Sequence, residues 1–157
     1  MKEQKDPLPI VTIVRAGIIA ALYTAVTLIL LPISFGPVQL RVAEALTVLP
    51  ILFPEAIAGL FIGVFFANIF GGLGLPDILG GSFITLIAAA VTYRFRHSII
   101  AYLSPILFNA FLVSLYLHAL FEWPYWLTVV SIGLSQTLVV FGLGYPLVQL
   151  LKKLQDT

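Results

Sequence analysis

Val48-Leu49-Pro50-Ile51-Leu52-Phe53-Pro54-Glu55 decides whether the apolar stretch from Pro37 to Gly71 is one broken helix or a helical hairpin. Pro50 and Pro54 stand four apart beside Glu55, and each removes a backbone donor and crowds the preceding turn. The stretch is therefore read as a hairpin, with a second helix from about Pro37 to Phe53 and a third from about Glu55 to Phe70. Working outward, the first helix runs from Ile10 to Leu31 and stops at Pro32 and the Ser34-Phe35-Gly36-Pro37 turn. On the other side, Gly71-Gly72-Leu73-Gly74-Leu75-Pro76-Asp77 forms a loop, and a fourth helix runs from about Gly80 to Tyr93. Arg94-Phe95-Arg96-His97 closes it. A fifth spans about Ile99 to Phe121, Glu122-Trp123-Pro124 turns the chain, and a sixth runs from about Tyr125 to Leu151, ending at Lys152-Lys153.

Composition says where such helices can live. The 157 residues are 61% hydrophobic and 10% charged, against about 25% charged in soluble domains. A chain this small cannot bury that much apolar surface in water, and disorder needs the opposite balance. Six spans of roughly 20 residues use about 120, leaving about 37 for tails and loops. The expectation is an all-α, multi-pass bundle of six transmembrane helices forming one membrane domain over residues 1–157. A net charge of +1 gives no field to hold nucleic acid. The absence of cysteine excludes disulfides and thiolate metal sites, and His97 and His118 lack metal-ligand spacing. No cofactor or metal is expected. The N-terminal apolar run is longer than the core of a cleavable signal.

Charge placement supports six spans. Lys and Arg favour cytoplasmic loops. With the N-terminus inside, Lys2, Lys5, Arg15, Arg94, Arg96, Lys152 and Lys153 all fall inside, seven of the eight basic residues. Both termini are then cytoplasmic.

The remaining charges, Arg41, Glu44, Asp77 and Glu122, belong to the outer half. Polar groups at membrane depth tend to face a bundle interior or a watery cavity. Asn68, Asn109 and Gln136 join them. Asn109 and Gln136 lie at similar depth, roughly 17 Å below the outer surface. Tyr116 sits seven residues above Asn109 on the same face. The expectation is an outward-opening polar pocket floored by Asn109 and Gln136. Arg41 and Glu44, three apart, can pair on one face, as an interfacial ion pair or as ligand groups. The amides of Asn68 and Asn109 offer a donor and an acceptor each, which suits a heterocycle edge or interhelical bonding. Asp77 reads as a turn or capping residue or as a ligand. Trp126 belongs to an interfacial aromatic belt or to a wall over a planar ligand. His118 is interfacial. The first helix carries small residues in two strips, Ala16, Ala20 and Thr24, with Gly17, Ala21 and Ala25 beside them. Such strips let another helix approach closely, within the chain or from a partner.

The stretch Phe35-Gly36-Pro37-Val38-Gln39-Leu40-Arg41-Val42-Ala43-Glu44-Ala45-Leu46-Thr47-Val48-Leu49-Pro50, continued by Glu55-Ala56-Ile57-Ala58-Gly59-Leu60 and Asn68-Ile69-Phe70-Gly71-Gly72, resembles the QueT family. These are substrate-binding S-components of energy-coupling-factor importers, associated with queuosine precursors. The resemblance implies a six-helix bundle in a prokaryotic plasma membrane that binds a vitamin-like solute from outside. It implies docking, through the small residues Ala16, Gly17, Ala20, Ala21 and Ala25, on a membrane T-component driven by two cytosolic ATPases. The implied ligand is a 7-deazaguanine or queuine, with Glu44, Asn68, Asn109, Arg41, Glu122, Trp126, Gln136, Tyr116 and Asp77 as substrate-binding candidates. Glu44 or Glu122 would partner a ligand amine. A different vitamin-like ligand is the alternative. An intramembrane enzyme would need a convergent catalytic set, and no His/Asp/Ser cluster or HExxH is present. A channel would not require so asymmetric a set of outer polar groups.

Overall fold

The computed structural model describes residues 9–35 and 39–155. Lys2 and Lys5, invoked for orientation, and Gly36, Pro37 and Val38 of the quoted motif lie outside the described residues. All regular structure among the described residues is helical. The helices are α1 (Pro9–Ile29), α2 (Val42–Ile51), α3 (Ala56–Gly71), α4 (Ser82–Arg94), α5 (Ile100–Phe121) and α6 (Tyr125–Gln155). A single turn, Leu31–Ser34, follows α1, and a wide π-turn, Asp77–Gly81, leads into α4. Three of these helices, α1, α5 and α6, are long and apolar enough to cross a membrane, and α2 and α3 are shorter apolar helices.

The hairpin reading of the Pro50–Glu55 stretch matches the break between α2 and α3. The second helix differs from expectation in type and extent. It is a 3₁₀ helix that starts at Val42 rather than near Pro37. Gln39, with φ of 45°, turns the chain just before it. Pro50 inside the helix has no N–H to give an α-helical bond. Thr47 Oγ1 donates to the Glu44 carbonyl at 2.6 Å. Ten residues is long for a 3₁₀ helix, and this one is enclosed, with eight of its ten residues buried. α2 is thus the axis of the molecule, and the other helices surround it. The fourth helix also begins earlier than expected, at the Asp77 π-turn instead of Gly80.

α1 and α3 pack at backbone contact. A Cβ on Gly59 would lie 2.6 Å from the Ala16 carbonyl oxygen, and one on Gly63 would lie 3.0 Å from that of Ala20 and 2.9 Å from Tyr23 Cβ. Thr24 Oγ1 donates to the Gly63 carbonyl at 3.1 Å. The Ala16 and Ala20 strip is therefore occupied within the chain. Two further π-turns interrupt the long helices, Asn109–Val113 in α5 and Val140–Gly144 in α6.

Burial is inverted relative to a soluble protein. Ile13, Ile18, Leu22, Phe66, Phe83, Leu115, Leu134 and Leu138 face outward, while Arg41, Glu44, Asn68, Asp77, Asn109 and Gln136 are buried. Water would favour the reverse, and lipid favours this arrangement.

Gly63→Val should destabilise the protein by about 1–3 kcal/mol through overpacking against Tyr23 and Ala20. Thermal unfolding in detergent measures this. An unchanged transition would show that α1 and α3 are not in backbone contact there.

Candidate substrate site

The site grows from the 3₁₀ geometry of α2. With three residues per turn, positions three apart eclipse one another. Arg41, the extended N-cap residue, precedes Glu44 by three positions, and the Glu44 N–H donates to the Arg41 carbonyl at 3.0 Å.

Glu44 occupies the lower layer, with 2% of its surface exposed. Tyr23 of α1 donates its hydroxyl to Glu44 Oε1 at 2.5 Å. Asn109 of α5 donates from Nδ2 to Glu44 Oε2 at 3.1 Å. Gln136 of α6 stands within hydrogen-bonding reach of the same carboxylate, with its own Oε1 buried and unpartnered.

The upper layer is built on Asp77, the first residue of the π-turn before α4. Tyr116 of α5 donates its hydroxyl to Asp77 Oδ1 at 2.5 Å. Asn68 of α3 donates from Nδ2 to the Asp77 carbonyl at 2.7 Å. Gly81 leaves room for this convergence, because a Cβ there would lie 2.6 Å from Asn68 Nδ2, 3.5 Å from Asp77 Oδ1 and 3.6 Å from Tyr116 Oη. Arg41 reaches the layer from α2. Its Nη2 is 3.8 Å from Asp77 Oδ2, its Nε donates to the Ser34 carbonyl at 3.3 Å, and its guanidinium carbon lies 4.4 Å from the Phe35 ring centre. Arg41 thereby joins the segment after α1 to the start of α4.

Buried polar atoms almost always find partners. Six here do not: Gln39 Nε2, Arg41 Nη2, Asn68 Oδ1, Asp77 Oδ2, Ser114 Oγ and Gln136 Oε1. Four of the six, on Arg41, Asn68, Asp77 and Gln136, belong to residues expected to line a pocket. Such a set of unmade hydrogen bonds is what a polar ligand completes.

The structure thus gathers Arg41, Glu44, Asn68, Asp77, Asn109, Tyr116 and Gln136. Glu122 and Trp126 lie outside the cluster. Glu122 is exposed at the end of α5, in the left-handed conformation, with its N–H on the His118 carbonyl at 3.0 Å. Trp126 is 71% exposed, a position that suits a membrane-interface ring. Of the docking candidates, Ala16 and Ala20 pack on α3, and Ala20 also borders the outward-facing groove that Gly17, Ala21 and Ala25 line with Ile62, Phe66 and Phe70. Sequence reasoning missed Tyr23, Gln39 and Ser114. Tyr23 follows Ala16 and Ala20 by seven and three residues, so its helical face was there to be read. No group of three or more potential metal ligands exists among the described residues.

Tyr23→Phe removes a donor from a buried carboxylate and should lower stability by about 1.5–3 kcal/mol. Tyr116→Phe should act alike through Asp77. Chemical or thermal unfolding of the two variants checks this, and a change below about 0.5 kcal/mol in both would contradict the charge-assisted bonds described.

No curated protein and no solved structure matches this chain. The family model described as QueT transporter matches residues 13–153, nearly the whole chain. It takes in every helix that carries the buried cluster. The inverted burial, the three long apolar helices and this match agree on a membrane transporter, and the chain belongs to the QueT transporter family.

Proposed function

We propose that this protein is the substrate-binding S-component of an energy-coupling-factor importer for a queuosine precursor. In this reading all six helices span the plasma membrane of a prokaryote, with both termini and the Arg94–His97 loop cytoplasmic. The protein captures a 7-deazaguanine from outside and delivers it by docking to a T-component driven by two ATPase subunits. The observation that carries the ligand reading is the set of six unpartnered polar atoms around Arg41, Asn68, Asp77 and Gln136. A purine-like base presents donors and acceptors along its edges, and removing any partner from such a site leaves another buried and unpaired. Ligand selection by the buried cluster also agrees with a transporter family. A different vitamin-like solute is the alternative, and it would use the same cluster.

Docking is assigned to Gly17, Ala21 and Ala25. They form an exposed strip of small residues beside aromatic groove walls from α3, where a partner helix could approach closely.

Titration of the purified protein with a panel of 7-deazaguanines, purines and common vitamins should give saturable binding to a deazaguanine. Asn109→Ala should weaken it by roughly 1–3 kcal/mol, about ten- to a hundredfold. Binding confined to another vitamin would replace the ligand assignment. Unchanged affinity in Asn109→Ala would move the site away from the cluster.

Ala21→Trp should abolish uptake in cells while leaving binding by the purified protein intact, because the ring fills the groove without touching the cluster. Normal uptake by this variant would remove the docking role. Ala20→Trp is expected to disturb folding instead, since Ala20 faces Gly63.

A further inference from the structure

Among the described residues, five of the six Lys and Arg side chains gather at one end of the bundle. Arg15 lies on α1, Arg94 and Arg96 close α4, and Lys152 and Lys153 close α6. The described acids are Glu44, Glu55, Asp77 and Glu122, and of these only Glu55 is at this end, where Arg15 holds it at 3.2 Å. Arg94 and Arg96 each lie over an aromatic ring, 5.7 Å from the Phe95 centre and 4.6 Å from the Tyr93 centre. A ring against one face steadies a guanidinium at a membrane interface and leaves its N–H donors for an anion.

α6 reaches this end with length to spare. At 1.5 Å per residue its 31 residues measure about 46 Å, about 16 Å more than a hydrocarbon core of roughly 30 Å. The surplus corresponds to its last segment, Tyr145–Gln155. Val148 of that segment packs inward with Ile51 and Ala101. Tyr145, Gln149 and Lys152, spaced by four and three, share an outward face, and all three are exposed. The strip starts on an aromatic platform, because the Tyr102 ring of α5 stands 5.5 Å from that of Tyr145 and stacks at 5.9 Å on that of Phe141. From Tyr145 to Lys152 it rises about 10 Å, passing from ring to amide to ammonium. A phospholipid presents its chains, glycerol and phosphate in the same order. His97 precedes Ala101 by four residues and Lys152 follows Val148 by four, so the Arg94–His97 loop and the last turns of α6 end at one level.

We propose that the α5–α6 face at this end binds an anionic phospholipid. Lys152, Arg94 and Arg96 draw the phosphate, and Tyr102, Phe141 and Tyr145 seat the chains. Basic side chains beside a membrane each strengthen attraction to anionic headgroups, and the aromatic platform, at the depth where such rings collect, turns that general attraction into a place. The site is separate from the buried polar cluster and does not depend on what the cluster binds.

Native mass spectrometry of the full-length protein in detergent micelles, titrated with dioleoyl phosphatidylglycerol or dioleoyl phosphatidylcholine, tests this. Micelles have no leaflets, so the readout holds whichever way the chain is oriented. The wild type should retain phosphatidylglycerol at least fivefold more strongly. Lys152→Gln should weaken that retention about fivefold, and Arg94→Gln combined with Arg96→Gln by at least as much, with phosphatidylcholine retention and the melting transition in plain detergent unchanged. Glycerol phosphate, which carries the headgroup charge without chains, should not compete. Equal retention of the two lipids by the wild type overturns the proposal and leaves the basic end to an acidic protein surface. A preference that survives both sets of substitutions overturns the location. Competition by glycerol phosphate at matching concentration overturns the lipid seat in favour of a simple anion site.

Discussion

The Glu44 carboxylate is the point on which the structure turns. It accepts hydrogen bonds from Tyr23 of α1 and Asn109 of α5, with Gln136 of α6 beside it, while belonging to α2 itself. In an apolar surround, each of those hydrogen bonds is worth more than at a wet surface, and each becomes a penalty when its partner is lost. Four helices are thereby held to one position by a single charged group. Helices in lipid gain no hydrophobic free energy by associating, so packing and interhelical polar contacts set their arrangement. Here the packing term is the backbone contact of α1 with Gly59 and Gly63, and the polar term is Glu44.

The 3₁₀ form of α2 follows from the same constraint. Arg41 at its N-cap and Glu44 in its first turn let one short helix serve both layers of the cluster. The π-turns work from the opposite side. Asp77 and Asn109 are each the first residue of such a turn, where the backbone widens and re-aims the side chain. Wide turns of this kind are frequent at functional sites. A narrow central helix and widened surrounding helices bring side chains from five helices close enough to share two carboxylates.

Much of this was legible in the sequence. The breaks at Pro50–Pro54 and Glu122–Pro124, and the outward apolar faces, follow from proline chemistry and hydropathy. Arg41, Glu44, Asn68, Asn109 and Gln136 stood out because polar groups are expensive at membrane depth. What could not be read was helix type. A 3.6-residue period assumed for α2 and α5 misses both the 3₁₀ row and the π-turn, because these arise from packing around Pro50 and Asn109 rather than from local propensity. Tyr23 was hidden because its ring looks like core until its hydroxyl meets Glu44. Glu122 and Trp126 were drawn toward the pocket by their chemistry alone, and the direction of the chain after α5 puts them at the surface. The two strips of α1 look alike in sequence, and only the position of α3 shows that Ala16 and Ala20 meet Gly59 and Gly63 while Gly17, Ala21 and Ala25 border the open groove.

The layered cluster also links ligand capture to closure of the segment after α1. Arg41 holds the Ser34 carbonyl and lies over Phe35 while facing Asp77, so a base seated between Arg41 and Asp77 would fix that segment in place. An experimental structure of the protein with a bound 7-deazaguanine tests the account most directly. The account predicts the base between the two layers, with Asp77 and Glu44 each within hydrogen-bonding distance of it. A base bound against Trp126 and Glu122 at the surface, with the buried cluster unchanged, would contradict it.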